Sequence, residues 1–218
     1  MNVCSNLSKL LSLLPDEVQL VAVSKFQSEA RIREVYDAGQ RIFGENRVQE
    51  LAGKQPNLPN DIEWHFIGTL QTNKVKYIVP FISMIQSVDS VKLLQEINRQ
   101  AEKYNRIIRV LIEVHIAEED SKHGFSIDEC RTFFLDGIPL QFKNIQICGL
   151  MGMATLTEDV KAVRNEFGNL RTLFEEIRSI PEIDKSHFTE LSMGMSDDFK
   201  IAIEEGSTMV RIGTAVFN

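Results

Sequence analysis

The sequence predicts an α/β fold in which eight parallel strands close into one barrel with helices around it. Apolar runs of strand length alternate with segments of helical period along the chain, which is the pattern of repeated βα units. Several runs are continuously hydrophobic, as in strands covered on both faces. The units between residues 25 and 213 average about 27 residues, close to the roughly 30 residues of one βα unit. We therefore expect a (β/α)8 barrel of the TIM type rather than an open doubly wound sheet.

The strands are predicted from short segments rich in aliphatic residues. Residues 20–23 read LVAV and residues 110–112 read VLI, without the alternation of a strand that has one wet face. In chain order the eight predicted strands are 18–24, 41–44, 62–67, 84–88, 107–114, 145–150, 187–191 and 209–212.

Helices are predicted between the strands because these segments have helical spacing and recognisable ends. Gly39 and Gly206 follow two of them and suit a left-handed cap, while Pro80 and Pro181 prevent two others from continuing. Residues 89–90 and 196–198 offer oxygens that can accept the first N–H groups of a helix. The predicted helices are 29–38, 47–54, 73–79, 91–104, 127–135, 160–180 and 197–205, after an extra amphipathic helix around residues 10–14.

The composition excludes several classes of protein. The chain has 218 residues, of which 43% are hydrophobic and 25% charged, and its net charge is −7, so disorder is not expected. The acidic balance argues against broad contacts with nucleic acid or anionic lipid, because their phosphates attract Lys and Arg. No apolar run approaches the roughly 20 residues of a membrane span. We expect a cytoplasmic protein with a single domain over residues 1–218.

Metal and redox sites are not expected. Cys4, Cys130 and Cys148 are odd in number and far apart, so they predict buried free thiols rather than disulfides or a zinc site. Of the four histidines only His65 falls inside a predicted strand, while His115 is assigned to the loop that follows strand five. No histidine pair has metal-site spacing, and satisfied structural histidines are the favoured interpretation.

Lys25 is the first candidate for chemistry, because such barrels carry their sites at the carboxyl ends of the strands. It directly follows the first predicted strand. Partial burial there would favour a neutral amine that can form a Schiff base. The alternative is a lysine that reaches solvent or pairs with Glu45 or Glu113.

A phosphate site is the second candidate feature. Ser192, Gly194 and Ser196 follow strand seven, and Gly213 with Thr214 follows strand eight, where such barrels commonly bind phosphate. The alternative is simple turn chemistry, with Ser196 capping the next helix. Residues 197 and 198 are both Asp, so their side chains would have to point away from a phosphate.

Arg211 lies within the last predicted strand and faces either the barrel interior or a helix. Beside a heteroaromatic cofactor it would donate to the ring nitrogen and keep that nitrogen unprotonated, which weakens the ring as an electron sink. The chain has no P-loop, dinucleotide fingerprint or G-x-S-x-G motif, so nucleotide and serine-hydrolase functions lack support.

Five ordered motifs resemble those of the pyridoxal phosphate homeostasis proteins, the YggS/PROSC family. They are VAVSK at 21–25, FGENRVQE at 43–50, WHFIGTLQTNK at 64–74, LSMGMSDD at 191–198 and VRIGT at 210–214.

The resemblance implies a barrel like the N-terminal domain of alanine racemase and a Schiff base between Lys25 and pyridoxal 5′-phosphate. It assigns phosphate contacts to Ser192, Gly194, Gly213 and Thr214, and the ring nitrogen to Arg211. It places three further residues near the cofactor with less defined roles, namely Asn46, His65 and Met151. The family is regarded as non-catalytic and as acting in vitamin B6 homeostasis, so the resemblance implies a monomer that passes cofactor to apoenzymes dependent on it, with no catalytic residues.

Two enzymatic alternatives stay open at this point. One is a racemase that acts on amino acids through a single lysine base. The other is a phosphosugar barrel enzyme that uses Lys25 as a Schiff-base lysine without a cofactor. Racemisation is disfavoured because the sequence ends with the barrel and because Tyr36, Tyr77 and Tyr104 fall on predicted outer helices, so none offers a second base.

Overall fold

A computed structural model describes residues 3–118 and 123–218, and in it eight strands form a closed parallel barrel. Each strand pairs with the next along the chain, and the last pairs with the first. The predicted α/β class and the TIM-type barrel are confirmed.

The observed strands agree with the predicted ones to within three residues at each end. They are β1 (Gln19–Val23), β2 (Ile42–Glu45), β3 (Glu63–Phe66), β4 (Met84–Val88), β5 (Ile108–His115), β6 (Ile145–Met153), β7 (Glu190–Ser192) and β8 (Met209–Ile212).

The largest differences concern β6 and β7. The sixth strand continues through Gly152 to Met153 because it stays paired with β5 as far as His115. The seventh begins three residues later than predicted, because a turn in which Phe188 N–H donates to Asp184 C=O at 2.9 Å occupies the preceding segment.

The helices lie outside the barrel in the predicted order. They are α1 (Val3–Leu11), α2 (Glu29–Asp37), α3 (Val48–Lys54), α4 (Val91–Lys103), α5 (Ile127–Leu135), α6 (Val160–Arg178), α7 (Phe199–Glu204) and α8 (Thr214–Phe217), with 3-10 turns at Gln55–Asn57, Thr72–Tyr77 and Ile138–Gln141.

Two helix predictions need correction. The extra helix expected around residues 10–14 lies at Val3–Leu11, and residues 12–14 form a turn. The segment predicted as a helix over 73–79 is a 3-10 helix, in which Ile78 N–H donates to Val75 C=O, three residues back. Pro80 follows and lacks an N–H, so the segment does not extend into a regular α-helix. The four-residue α8 was not predicted, because periodicity is undetectable over one turn.

The core has two parts, separated by the barrel wall. The larger part lies between the strands and the helices and includes Trp64, which is 2% exposed with its ring centroid 6.0 Å from that of Phe43. The smaller part fills the barrel interior with Val21, Met84, Leu111, Cys148, Met151 and Met209. Side chains two residues apart on a strand point to the same face. Gln86 therefore faces inward like Met84, and Arg211 faces inward like Met209.

The thiol prediction is partly wrong. Cys130 and Cys148 are buried, and burial raises the pKa of Cys130 to about 12. Cys4 is exposed, because Val3 and Leu7 occupy the inner face of α1.

In the described parts of the chain, no helix is long and apolar enough to cross a membrane.

A glycine pair tests the packing of the barrel wall. Gly149 has φ +153°, and a Cβ there would lie 1.7 Å from the carbonyl oxygen of Glu190 on the neighbouring strand. We expect Gly149→Ala to lower the free energy of unfolding by at least about 3 kcal/mol, measured by urea denaturation. Gly53, within α3, has nothing within 4 Å of such a Cβ, so Gly53→Ala should raise stability by about 0.5–1 kcal/mol. Equal effects of the two substitutions would contradict this account.

Candidate functional site

Lys25 stands at the carboxyl edge of the barrel, two residues beyond the end of β1. It is exposed, so the expected partial burial is wrong. The reason is local, since Gln27 N–H donates to Ser24 C=O at 3.0 Å and this turn carries residue 25 out of the wall. Within the described residues no carboxylate lies at ion-pair distance from Lys25, and Glu45 is paired with Lys54 instead. The amine is therefore open to solvent.

Inside the barrel, four buried polar side chains form one hydrogen-bonded chain across the interior. Gln86 Nε2 lies 2.9 Å from His65 Nδ1, and Ser192 Oγ donates to Gln86 Oε1 at 2.8 Å. Arg211 donates to Ser192 Oγ at 2.5 Å. The chain joins β3, β4, β7 and β8. Such a network is stable in an apolar interior only when its members satisfy one another.

Arg211 faces the interior rather than a helix. Besides the Ser192 hydroxyl, its guanidinium donates to the carbonyl oxygens of Ser192 at 2.9 Å and Gly152 at 3.0 Å. Burial lowers the pKa of Arg211 to about 10, while the nearby carboxylates of Glu113 and Asp198 oppose that shift. The group therefore stays cationic at neutral pH, in a fixed orientation.

His65 is held neutral by its surroundings. Burial, with a smaller contribution from the charge of Arg109, lowers its pKa to about 3. Gln86 presents its amide N–H to Nδ1, so the ring proton lies on Nε2. That buried Nε2 has no partner among the described residues, which leaves a donor for a ligand or a water molecule.

Ser192 Oγ is hydrogen-bonded on both sides within the interior network. The hydrogen is used by Gln86, and the oxygen accepts from Arg211. Ser192 therefore supports Arg211 in this structure, and its contact with a phosphate stays a prediction.

The loops after β7 and β8 lie beside the end of β1. A Cβ at Gly213 would be 3.0 Å from the carbonyl oxygen of Val23, so the last loop runs within contact of the segment that carries Lys25. Gly194 has φ +89°, and its carbonyl accepts from Arg211 N–H at 3.0 Å. Thr214 begins α8 and is exposed. Gly213 and Thr214 thus lie beside the strand end that leads to Lys25, and Gly194 lies beside Arg211.

The two Asp residues of this loop behave differently. Asp198 turns back and accepts from Met195 N–H at 2.5 Å, and burial raises its pKa. Asp197 is exposed. Ser196 does not cap α7, because the N-cap is Asp198 and that cap has no side-chain hydrogen bond, so the capping alternative for Ser196 is wrong.

Asn46 lies at the rim of the barrel, and Met151 lies in the barrel interior. Asn46 follows β2, and its buried Oδ1 has no partner within the described residues. A Cβ at Gly68 would lie 2.5 Å from the Asn46 carbonyl oxygen, so the loops after β2 and β3 touch. Met151 is buried in β6, paired laterally with Glu113 and Ser192.

Sequence reasoning missed Gln86 and misplaced His115. Gln86 is the inward residue of β4, whereas the neighbouring Ser87 donates to Gly68 C=O at 2.5 Å. Alternation from Met84 could have identified it. His115 is the last residue of β5 rather than part of the loop.

Over residues 3–118 and 123–218, no cluster of His, Cys, Asp and Glu could hold a metal ion.

Comparison with known sequences gives full-length matches. The family model of the alanine racemase N-terminal domain matches residues 2–218. A pyridoxal phosphate homeostasis protein of Aquifex aeolicus is 40% identical over 228 residues, which cover 100% of this chain and 98% of the relative. One of Mus musculus is 40% identical over 210 residues, or 91% of this chain and 76% of the relative.

Solved structures have the same barrel. PipY of Synechococcus elongatus, solved without PLP, is 38% identical and has a TM-score of 0.92 over 99% of this chain and 100% of its own. The same protein with PLP bound has a TM-score of 0.88. Alanine racemase of Clostridium difficile is 14% identical with a TM-score of 0.80, and the matched part is 55% of that chain. This last likeness shows the fold alone.

The neutral state of His65 gives a pH prediction. Between pH 6.5 and about 3 the unfolded chain binds a proton at this histidine that the folded protein does not. The stability contributed by His65 is therefore complete above pH 6.5 and is lost as the pH falls towards 3. From pH 7 to pH 5, we expect the free energy of unfolding to fall by about 2 kcal/mol more in the unsubstituted protein than in His65→Gln.

Urea titrations at the two pH values measure this difference. His187 is exposed, so His187→Gln serves as the control for replacing a histidine outside the barrel interior. If His65→Gln shows the same pH dependence as the unsubstituted protein, His65 is not buried in the neutral form.

Proposed function

This chain belongs to the family of pyridoxal phosphate homeostasis proteins, whose barrel is that of the alanine racemase N-terminal domain, and we propose that it binds pyridoxal 5′-phosphate as a Schiff base on Lys25. The observation that carries the proposal is an exposed lysine at the carboxyl edge of the barrel, two residues after Val23, whose carbonyl oxygen lies against Gly213 of the loop after β8. The relative PipY, 38% identical, has been solved with PLP bound.

The residues at this edge suit the chemical groups of the cofactor. Lys25 supplies an amine for its aldehyde, and Arg211 supplies a fixed cation for its ring nitrogen. Asn46 Oδ1 and His65 Nε2 are buried without partners within the described residues, which is expected where a polar ligand completes the hydrogen bonding. These two residues and Met151 would line the space beside the ring.

The phosphate would be held by the loops after β7 and β8. Gly194, Gly213 and Thr214 supply backbone N–H groups and a hydroxyl there, a common arrangement in barrels of this type. Ser192 would act through Arg211, because its hydroxyl hydrogen is engaged by Gln86.

We further propose that the protein stores or delivers the cofactor and does not catalyse a reaction. The bound ring would supply an electron sink, which is strongest when its nitrogen is protonated. A cationic Arg211 at that nitrogen disfavours protonation. The three tyrosines lie on the outer surface, with Tyr36 bonded to Asp61 at 2.6 Å and Tyr77 and Tyr104 both exposed, so none is placed as a second base.

The remaining features of the proposal concern location and partners. The protein would act as a cytoplasmic monomer that exchanges cofactor with apoenzymes dependent on it. Neither a nucleic acid nor a membrane is a proposed partner, because the net charge is −7.

The central prediction is a covalent, reducible adduct on Lys25. Adding pyridoxal 5′-phosphate to the purified protein should give a visible absorbance band, and borohydride should fix one cofactor to Lys25, located by peptide mass spectrometry. Lys25→Ala should lose both the band and the adduct.

Lys143→Ala is the matched control, since Lys143 belongs to the segment before β6 and has no proposed role. Its band and adduct should equal those of the unsubstituted protein. A Lys25→Ala protein that retains the same reducible band would reject the assignment, and a protein that gains no absorbance with the cofactor would favour the phosphosugar alternative.

A second prediction separates a carrier from a racemase. With alanine in deuterated water, the cofactor-loaded protein should exchange the α-proton no faster than free pyridoxal 5′-phosphate at the same concentration. Proton NMR measures the loss of the α-proton signal. Exchange well above that of the free cofactor, abolished in Lys25→Ala, would establish the racemase alternative.

A further inference from the structure

Lys54 is a buried lysine that lies directly behind the turn carrying Lys25. It is the last residue of α3, and its side chain is only 8% exposed. Its ammonium donates to three oxygens, namely those of Ser24 C=O at 2.9 Å, Glu45 Oε1 at 2.7 Å and Glu50 Oε1 at 2.6 Å. All three N–H groups of a lysine are thereby used.

The Lys54 cluster, defined here as Lys54, Glu45 and Glu50, holds the backbone on both sides of Lys25. The Ser24 carbonyl that accepts from Lys54 belongs to the peptide group before Lys25. The Phe26 N–H that donates to Glu50 Oε1 at 2.7 Å belongs to the peptide group after it.

Ser24 is anchored more firmly still. Its hydroxyl donates to Glu45 Oε1 at 2.7 Å, and its N–H donates to Gly44 C=O at 2.9 Å. Residue 25 therefore leaves the barrel from a segment whose flanking peptide groups are both tied to one charged cluster.

The conformation of Phe26 is the reason such an anchor is needed. Its φ is +65°, in the left-handed region that a non-glycine residue adopts only at a cost in free energy. Phe26 is 65% exposed, and its ring contact is with the Arg47 guanidinium, 5.0 Å from the ring centroid. The hydrogen bond to Glu50 and the ammonium at Ser24 act together with the turn bond from Gln27 N–H to Ser24 C=O to keep residues 24–26 in this shape.

The charges of the cluster depend on one another. Burial raises the pKa of Glu45, while the hydrogen bonds from Lys54 and Ser24 act in the opposite direction. For Glu50, burial is outweighed by the hydrogen bonds from Lys54 and the Phe26 N–H, so its pKa is lowered. Without Lys54, the fully buried carboxylate of Glu45 would lose its cation and would face the partly exposed carboxylate of Glu50.

We propose that Lys54, through Glu45 and Glu50, is the positioning residue that fixes where the Lys25 amine stands and so sets how fast it forms the Schiff base. Misplacing a reacting group by about 1 Å can cost about 100-fold in rate. The inference rests on the proposed function of Lys25. It assigns a role in that function to the Lys54 cluster, which lies outside the barrel wall.

The test compares Lys54→Met, Glu50→Ala and Glu50→Gln by the rate at which each gains the visible band with pyridoxal 5′-phosphate. We expect Lys54→Met and Glu50→Ala to react about 10- to 100-fold more slowly. Glu50→Gln keeps an oxygen that can accept from Phe26 and Lys54, and should stay within about threefold of the unsubstituted rate. Lys103→Met, at the exposed end of α4, should leave the rate unchanged.

A second readout needs no cofactor. Hydrogen exchange of the peptide that contains Phe26 should be faster in Lys54→Met and Glu50→Ala, because the Phe26 N–H loses its acceptor or the support of that acceptor, and unchanged in Glu50→Gln. If Lys54→Met fails to fold, the Glu50 pair decides the question with the same two measurements.

The outcomes distinguish this inference from the proposed function. If the unsubstituted protein forms no adduct on Lys25, the proposed function fails and takes this inference with it. If it forms the adduct, and folded Lys54→Met and Glu50→Ala react at the unsubstituted rate, only the positioning role of the Lys54 cluster is overturned.

Discussion

This structure depends on one constraint. A closed parallel barrel that buries polar side chains must also give their hydrogen-bonding groups partners. Eight strands leave an interior just wide enough for side chains, and here that interior contains an arginine, a histidine, a glutamine and a serine above an apolar layer. Each is hydrogen-bonded to the next, across four strands. The cation of Arg211 is tolerated inside because Ser192 and Gly152 accept from its N–H groups and because the carboxylates of Glu113 and Asp198 lie nearby.

The site lies where two polar systems approach the same edge from opposite sides of the wall. Arg211 and its partners are inside the barrel, whereas the Lys54 cluster is outside, between β2 and α3. Lys25 follows the strand that separates them. Ser24 faces the outer system and hydrogen-bonds to Glu45, while the backbone oxygen of Val23 touches the loop after β8. The segment that carries Lys25 is thus in contact with groups on both sides of the barrel wall.

Much of this organisation could be predicted from the sequence, because it depends on local pattern. The apolar runs gave β4 and β8 at their observed bounds, and five motifs gave the family. The exposure of Lys25 could not be predicted, since it results from a turn bond between Ser24 and Gln27. The role of Lys54 could not be predicted either. At the sequence level it is an ordinary helix-ending lysine, and only the packing of α3 on β2 buries it beside Glu45.

The placement of Trp64 has an optical consequence. It is the single tryptophan of the chain, it is almost fully buried, and it directly precedes His65 in β3. Its indole packs on the outer face of the wall against Phe43, while the neighbouring imidazole belongs to the inner network. Indole emission overlaps the absorption of a pyridoxal chromophore, so energy transfer through one strand thickness would dim the fluorescence as cofactor binds. The fluorescence of this one tryptophan would therefore report cofactor binding from the outer face of the barrel wall.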